Sequence, residues 1–199
     1  LSINLTFIIS FYFLGSIPFA LIIPKIFGYG DIRNTGSGNV GATNVLRMGN
    51  KYMAFLVLVF DILKGLLPFI ILIVFFDKVE MLTKVFFCHF VILGHIFPIW
   101  LKFKGGKGVA TYIGFLFGLS FYLGIIFLCL WLIIAFISRY SSLSSLISCL
   151  MAPIYFLFLT PLTLTGFFLL YIFLIIMLKH HENIKKLLNK SENKIKFNK

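Results

Sequence analysis

Long apolar runs separated by short, basic, polar stretches set the pattern of this chain. Residues 5–24, 52–76 and 85–101 are almost wholly apolar. Residues 109–178 continue in the same way, with breaks near 118–124, 138–142 and 160–161. Runs of about twenty apolar residues match the hydrocarbon thickness of a bilayer when helical. Lipid offers backbone N–H and C=O groups no partners, so each run is predicted to be a helix that satisfies its own. Gly15 and Pro18 within the first run are compatible with a membrane helix. The expected fold class is all-α, a polytopic integral membrane protein.

The basic residues set the span count and the orientation. The loop 25–51 carries Lys25, Arg33, Arg47 and Lys51 against Asp31 alone. The loop 102–108 has three lysines, and residues 179–199 have seven Lys against two Glu. Cytoplasmic loops collect Lys and Arg, so all three stretches are predicted inside and the N-terminus outside. A cytoplasmic C-terminus then needs an even number of crossings between 109 and 178. Splitting 109–137 near residues 118–124 gives four crossings there, hence about seven transmembrane helices. The first piece, of about 12 residues, covers only about 18 Å and must tilt or meet a thinned bilayer. A five-span alternative fuses 142–178 into one helix carrying Pro153 and Pro161, far longer than the roughly 20 residues a span needs. Residues 1–178 are thus expected to form the membrane domain and 179–199 a basic cytoplasmic tail.

Composition narrows the partners. Of 199 residues, 60 % are apolar and 12 % charged, with mean hydropathy +1.05; soluble domains carry about 25 % charged residues. The net charge of +12 sits in short loops between spans, which points to anionic lipid and anionic substrates and away from nucleic acid. A signal peptide would also explain residues 5–24, but no small-residue cleavage site follows, so the run reads as a retained span. Cys88, Cys129 and Cys149 lie in apolar runs and read as small hydrophobes.

Two glycine-rich, basic stretches interrupt the apolar pattern: Asn34-Thr-Gly-Ser-Gly-Asn-Val-Gly-Ala-Thr-Asn-Val-Leu-Arg47 and Phe103-Lys-Gly-Gly-Lys-Gly-Val-Ala-Thr111. Glycines let several N–H groups face one concavity, and such nests bind phosphate. One such stretch alone reads most simply as a turn. Two on the same predicted membrane face, both dense in donors, point to a shared anion site. Gly36-Ser-Gly-Asn-Val-Gly41 matches G-x-G-x-x-G, but it follows a membrane span rather than a strand, so no dinucleotide fold is implied. The second stretch fails the P-loop pattern, with Leu101 for its first glycine and Gly108 for its hydroxyl. Arg47, with its bidentate fork, and Lys107, a point charge on a flexible stem, are the leading phosphate ligands.

Other ionisable groups are read in place. Asp61 and Lys64, at i and i+3 in an apolar run, share a face and read first as a self-satisfying buried pair, though intramembrane charge is often functional. His89 reads as a packed or capping residue, whereas His95 stands at the lip of the second stretch. His180 and Asn183 share a helical face where the last span ends; a basic helix lying on anionic lipid is the alternative there. No H-E-x-x-H or carboxylate cluster exists, so no metal and no cofactor is expected. No G-x-S-x-G elbow exists either, so an enzyme here would work without an acylated residue.

Ser37-Gly-Asn-Val-Gly-Ala-Thr-Asn-Val-Leu-Arg47, Gly94-His-Ile-Phe-Pro98 with Phe103-Lys-Gly-Gly-Lys-Gly-Val-Ala-Thr111, and His180-His-Glu-Asn-Ile184 resemble the three signature motifs of the bacterial acyl-phosphate:glycerol-3-phosphate acyltransferase family (PlsY). Phe60-Asp-Ile-Leu-Lys-Gly65 and Tyr140-Ser-Ser-Leu143 resemble it too. The third motif departs from the family pattern at Lys179, at Lys186 and before Glu192, where a glycine is common. The resemblance implies a seven-span enzyme of the bacterial inner membrane with a site facing the cytoplasm. It would move a fatty acyl group from acyl phosphate to the 1-hydroxyl of glycerol 3-phosphate, giving lysophosphatidic acid and phosphate for phospholipid synthesis. A separate peripheral enzyme (PlsX) would supply the acyl phosphate. The implied catalytic residues are Ser37, Asn39, Thr43 and His180. The implied substrate ligands are Arg47, Lys104, Lys107, Asn183, Gly38, Gly41, Gly105 and Gly106. The general base would be a substrate phosphate oxygen or His180. A membrane transporter of a phosphorylated anion is the rival class, but it would show paired internal repeats, and no convincing pair is found.

Overall fold

The structure, a computed structural model, describes residues 2–195; the last four residues of the expected tail lie outside the described residues. Every regular element in the described residues is helical. The chain divides into two compact units, Leu1–Leu119 and Ser120–Lys199.

The first unit opens with α1 (Ser2–Gly15) and α2 (Phe19–Ile26), bent by 43° at the break between them. The single helix expected over 5–24 is therefore broken. Pro18 carries no N–H to continue the ladder, and the polar groups freed at the bend find side chains. Ser16 Oγ donates to the Phe13 carbonyl (2.8 Å) and accepts from Trp100 Nε1 (2.8 Å), while Lys64 Nζ donates to the Ile17 carbonyl (2.9 Å). Next come α3 (Ala42–Arg47) and α4 (Lys51–Phe75). Asn50 caps α4 by accepting from the Met53 N–H (3.0 Å), an N-cap role asparagine fills well. Then follow α5 (Met81–Ile96) and α6 (Val109–Leu119). Residues 81–84, expected in a loop, are helical, and buried Lys84 turns its Nζ to the Asp77 carbonyl (3.1 Å).

Close helix contacts in this unit rely on glycine. α1 packs on α5, where Gly15 faces Val91 and Gly94 faces Tyr12; α4 packs on α6, where Gly65 faces Thr111 and Gly114 faces Ile62. Without a hydrophobic force between helices in lipid, such small-residue approaches give the packing. Phe69 and Phe115 fill the space beside the α4–α6 contact, edge to face with ring centroids 5.0 Å apart. A Cβ on Gly114 would stand 2.8 Å from the Ile62 carbonyl carbon, so Gly114→Val must part the two helices. Overpacking of this kind costs about 1–3 kcal/mol, and the thermal midpoint in detergent is expected to fall by about 3–10 °C. An unchanged midpoint would show the contact to be loose.

The second unit holds α7 (Phe121–Ser138), α8 (Ser141–Phe158), α9 (Thr163–Lys179) and α10 (His181–Leu188). α8 packs against both α7 and α9. Two of its buried serines return their hydroxyls to the preceding turn: Ser144 donates to the Tyr140 carbonyl and Ser145 to that of Ser141, both at 2.8 Å. Trp131 Nε1 donates to Ser145 Oγ (3.1 Å). A 65° bend separates α9 from α10.

Among the described residues, four helical segments are long and apolar enough to cross a membrane, and two bent pairs would each make one more; α6 is apolar but shorter. The expected split of 109–137 is present, with the break at Ser120. The helix fusing 142–178 does not form, because α8 ends at Phe158 and α9 begins at Thr163. Large apolar side chains such as Phe121, Phe136 and Phe158 are well exposed, as lipid-facing positions are.

Candidate active site

The first glycine-rich stretch is a folded loop, fixed from below and from within. Ile32, Val40 and Val45 are buried in one cluster with Ala20 and Ile23 of α2 and Met53, Ala54 and Val57 of α4. From within, the amide of Asn44, 1 % exposed, joins its two ends. Asn44 Nδ2 donates to the carbonyls of Ile32 (2.9 Å) and Thr35 (3.1 Å), and Oδ1 accepts from the Ser37 N–H (2.9 Å) and hydroxyl (3.3 Å). Gly36 and Gly38 turn the chain with φ of +59° and +68°, a region that only glycine enters freely. Arg33 is committed locally: its guanidinium forks onto Asp31 (Nε to Oδ2, 2.9 Å). That hydrogen bond holds the Asp31 carboxyl below its usual range. Ser37, Thr43 and Arg47 are exposed, and Asn39 is half-buried. Thr43 and Arg47, at i and i+4, share a face of α3.

The second stretch folds back on the end of α5. The N–H groups of Gly105 and Gly106 donate to the carbonyls of Ile96 and His95, both at 3.1 Å, and that of Phe103 donates to Pro98 (3.0 Å). Lys102 and Phe103 both adopt positive φ (50° and 62°), a strain of the kind that clusters at ligand sites. Lys104 is exposed and Lys107 half-buried.

The two loops meet. A Cβ on Gly106 would stand 2.5 Å from the Val40 carbonyl and would collide with the His95 ring. Val40, Gly105 and Gly106 line one pocket with His95, Asp61, Lys64 and the α1–α2 break. Asp61 and Lys64 pair as expected, Nζ to Oδ1 2.8 Å with both side chains 2 % exposed. His89 is packed against Phe90, with ring centroids 4.2 Å apart, and its Nδ1 meets the Phe86 carbonyl.

The N–H groups of Gly38 and Gly41 donate to the carbonyls of Thr35 (3.0 Å) and Asn39 (3.1 Å). Gly38, with positive φ, turns the first loop, and Gly106 lets it approach the second.

In the second unit, His180 sits at the α9–α10 bend, 3 % exposed. Its Nδ1–H donates to the Ile176 carbonyl (2.8 Å), since a carbonyl only accepts, and in the neutral ring Nε2 then carries the lone pair. Asn183 Nδ2 donates to Glu192 Oε1 (2.8 Å), which also accepts from Ser142 Oγ (3.0 Å). The backbone N–H of Ile195 donates to the Arg139 carbonyl (2.7 Å). Glu192 thus orients Asn183 even without the glycine usual before it.

The sequence model described as glycerol-3-phosphate acyltransferase matches residues 5–190. The chain belongs to that family. A glycerol-3-phosphate acyltransferase of Pelagibacter ubique (strain HTCC1062) is 48 % identical over 189 residues, 95 % of this chain and 96 % of the relative. One from Bartonella henselae is 47 % identical, covering 96 % of this chain and 90 % of the relative. Among solved structures, PlsY (YgiH), an integral membrane glycerol 3-phosphate acyltransferase, matches in its glycerol 3-phosphate form with TM-score 0.89 and 37 % identity, over 97 % of this chain and 96 % of that one. Its lysophosphatidic acid form matches with TM-score 0.87 and 36 % identity, over 97 % and 95 %. This family member is an integral membrane protein with several apolar helices. Sequence reasoning singled out its loop residues but passed over Asn44, whose burial within a polar motif no spacing reveals. The contact of Glu192 with Ser142, 50 residues away in the chain, was not legible either.

Proposed function

We propose that this protein transfers a fatty acyl group from acyl phosphate to the 1-hydroxyl of glycerol 3-phosphate, releasing lysophosphatidic acid and inorganic phosphate. Beyond family membership, the observation that supports this reading is the meeting of the two glycine-rich loops at Val40 and Gly106. It brings the segments bearing Ser37, Asn39, Thr43 and Arg47 and those bearing Lys104 and Lys107 to one place, as two phosphorylated substrates require.

The glycerol hydroxyl oxygen attacks the acyl carbonyl carbon and a tetrahedral oxyanion forms. The bond from that carbon to the phosphate oxygen then breaks, phosphate leaves with the electron pair, and the hydroxyl proton goes to a phosphate oxygen. Acyl phosphate is already activated, so the protein needs no nucleophile. Its work is to position the reactants and to stabilise charge. Arg47, Lys104 and Lys107 hold phosphate. Ser37, Asn39 and Thr43 orient glycerol and the oxyanion. Gly38, Gly41, Gly105 and Gly106 shape the loops and are assigned to the substrate site with them. His180 and Asn183 are assigned to the same reaction on the sequence resemblance. No cofactor or metal enters the scheme.

The excess of Lys and Arg in the loops supports a site on the cytoplasmic side of a bacterial inner membrane. Residues 1–178 would lie across it in seven spans, with 179–199 as a basic stretch at its inner face. The acyl chain would lie in lipid contact along the phenylalanine-rich helices, and a PlsX-type enzyme would supply the donor.

The test is turnover by the purified protein with acyl phosphate, acyl-CoA and acyl carrier protein as alternative donors. Product from acyl phosphate alone, with no label on the protein, is expected. Product only from the thioesters, or a trapped acyl-enzyme ester, would overturn the reading. Phosphate flux without product would favour a transporter. If a substrate phosphate takes the proton, His180→Ala keeps kcat within about tenfold at saturating substrates, since loss of a true general base costs about 10²–10⁴-fold. A loss in that larger range would make His180 the base.

A further inference from the structure

Asp61, Lys64 and His95 form a buried charged cluster that none of the roles above uses. Lys64 Nζ is ion-paired with Asp61 Oδ1 (2.8 Å) and donates to the Ile17 carbonyl at the α1–α2 break (2.9 Å). The same Asp61 oxygen lies 3.6 Å from His95 Nδ1. The other edge of the His95 ring abuts Gly106, so that a Cβ there would strike Nε2, and the His95 carbonyl accepts the Gly106 N–H (3.1 Å). One continuous set of contacts therefore runs from the bend of the first helix pair, through α4, to the second glycine-rich loop where it meets the first.

Stability alone gives little reason for such a cluster. Replacing a buried ion pair by apolar groups of similar volume is often neutral or stabilising, and in a membrane segment charge is costly. What a pair in fixed geometry adds is direction. Its charges hold the His95 ring at one height beneath a loop whose own residues have no side chain to anchor it at Gly105 and Gly106. We propose that Asp61, Lys64 and His95 are positioning residues for acyl transfer, setting the second glycine-rich loop against the first through the contact of His95 with Gly106. The kinetic part of this inference rests on the function proposed above; the structural part does not.

The test uses the full-length protein in detergent with Asp61→Asn and Lys64→Met combined, which removes both charges and keeps volume. The thermal midpoint is expected to stay within about 3 °C of the parent. Amide hydrogen exchange over residues 103–108 is expected to quicken about tenfold or more, with the interiors of α4 and α5 unchanged. KM for at least one phosphorylated substrate is expected to rise about tenfold, with kcat changed less. Unchanged exchange in the loop overturns the proposal. So does a folded variant with both KM values unchanged, whether kcat is normal or falls with the folded fraction. Should the double variant not fold, Asp61→Asn alone, which keeps an acceptor for Lys64, is read by the same two measurements. Failure of both to fold would make the cluster a scaffold and overturn the positioning role. Exchange does not depend on turnover, so a wild-type protein inactive with acyl phosphate would sink the proposed function while exchange still decides this inference.

Discussion

Arg47→Ala is expected to lower kcat/KM for acyl transfer by about 10³-fold, because two charge-assisted hydrogen bonds to a phosphate contribute roughly 3–5 kcal/mol together. The thermal midpoint should barely move. Arg47 is exposed at the end of α3, and truncating an exposed side chain costs little stability. Arg47→Lys keeps the charge but loses the fork, so it should recover only part of the loss. Steady-state kinetics beside a thermal melt separates these outcomes. Near-normal turnover in Arg47→Ala would remove the first loop from the phosphate site.

Asn44→Ala should fail in a different way, losing activity and stability together. Its amide is the internal tie of the first loop, with two donations to carbonyls and two acceptances from Ser37. Ile32 and Thr35 have other partners for their carbonyls, so the chief orphan is the Ser37 N–H beside the space the amide leaves. That costs about 2 kcal/mol. Freed of the tie, Ser37 loses its fixed place relative to Thr43 and Arg47, and turnover is expected to fall about 10²-fold. Asn44→Asp should do no better, since a carboxylate accepts from Ser37 but cannot donate to Ile32 and Thr35 and buries a charge. A melt and an assay on the same preparation check both halves. A stable but inactive Asn44→Ala protein would mean that the residue touches substrate instead.

The contrast between these two residues shows what the sequence made legible. Arg47 stands out as a candidate in the sequence because a cation at the end of a glycine-rich stretch has few other uses. The helices were visible because lipid enforces helical runs of a fixed length, and even the break at Ser120 followed from counting basic loops on one face. Asn44 was hidden, since the same amide serves equally as a substrate donor or an internal tie, and only its burial distinguishes the two. The backbone of the second loop was hidden too, because the carbonyls that accept from the Gly105 and Gly106 N–H groups belong to the end of α5. The bend at residues 16–18 was legible as Pro18 and Gly15 but not as a break, because Lys64 and Trp100, which satisfy it, come from distant parts of the chain.

Cysteine accessibility tests most directly whether the two glycine-rich loops form one phosphate cradle on one membrane face. With Cys88, Cys129 and Cys149 replaced, single cysteines at Asn34 and Lys104, both exposed, are labelled by a membrane-impermeant thiol reagent in sealed vesicles of each orientation. Both positions are predicted to react only in inside-out vesicles. Reaction of the two from opposite faces would contradict the account.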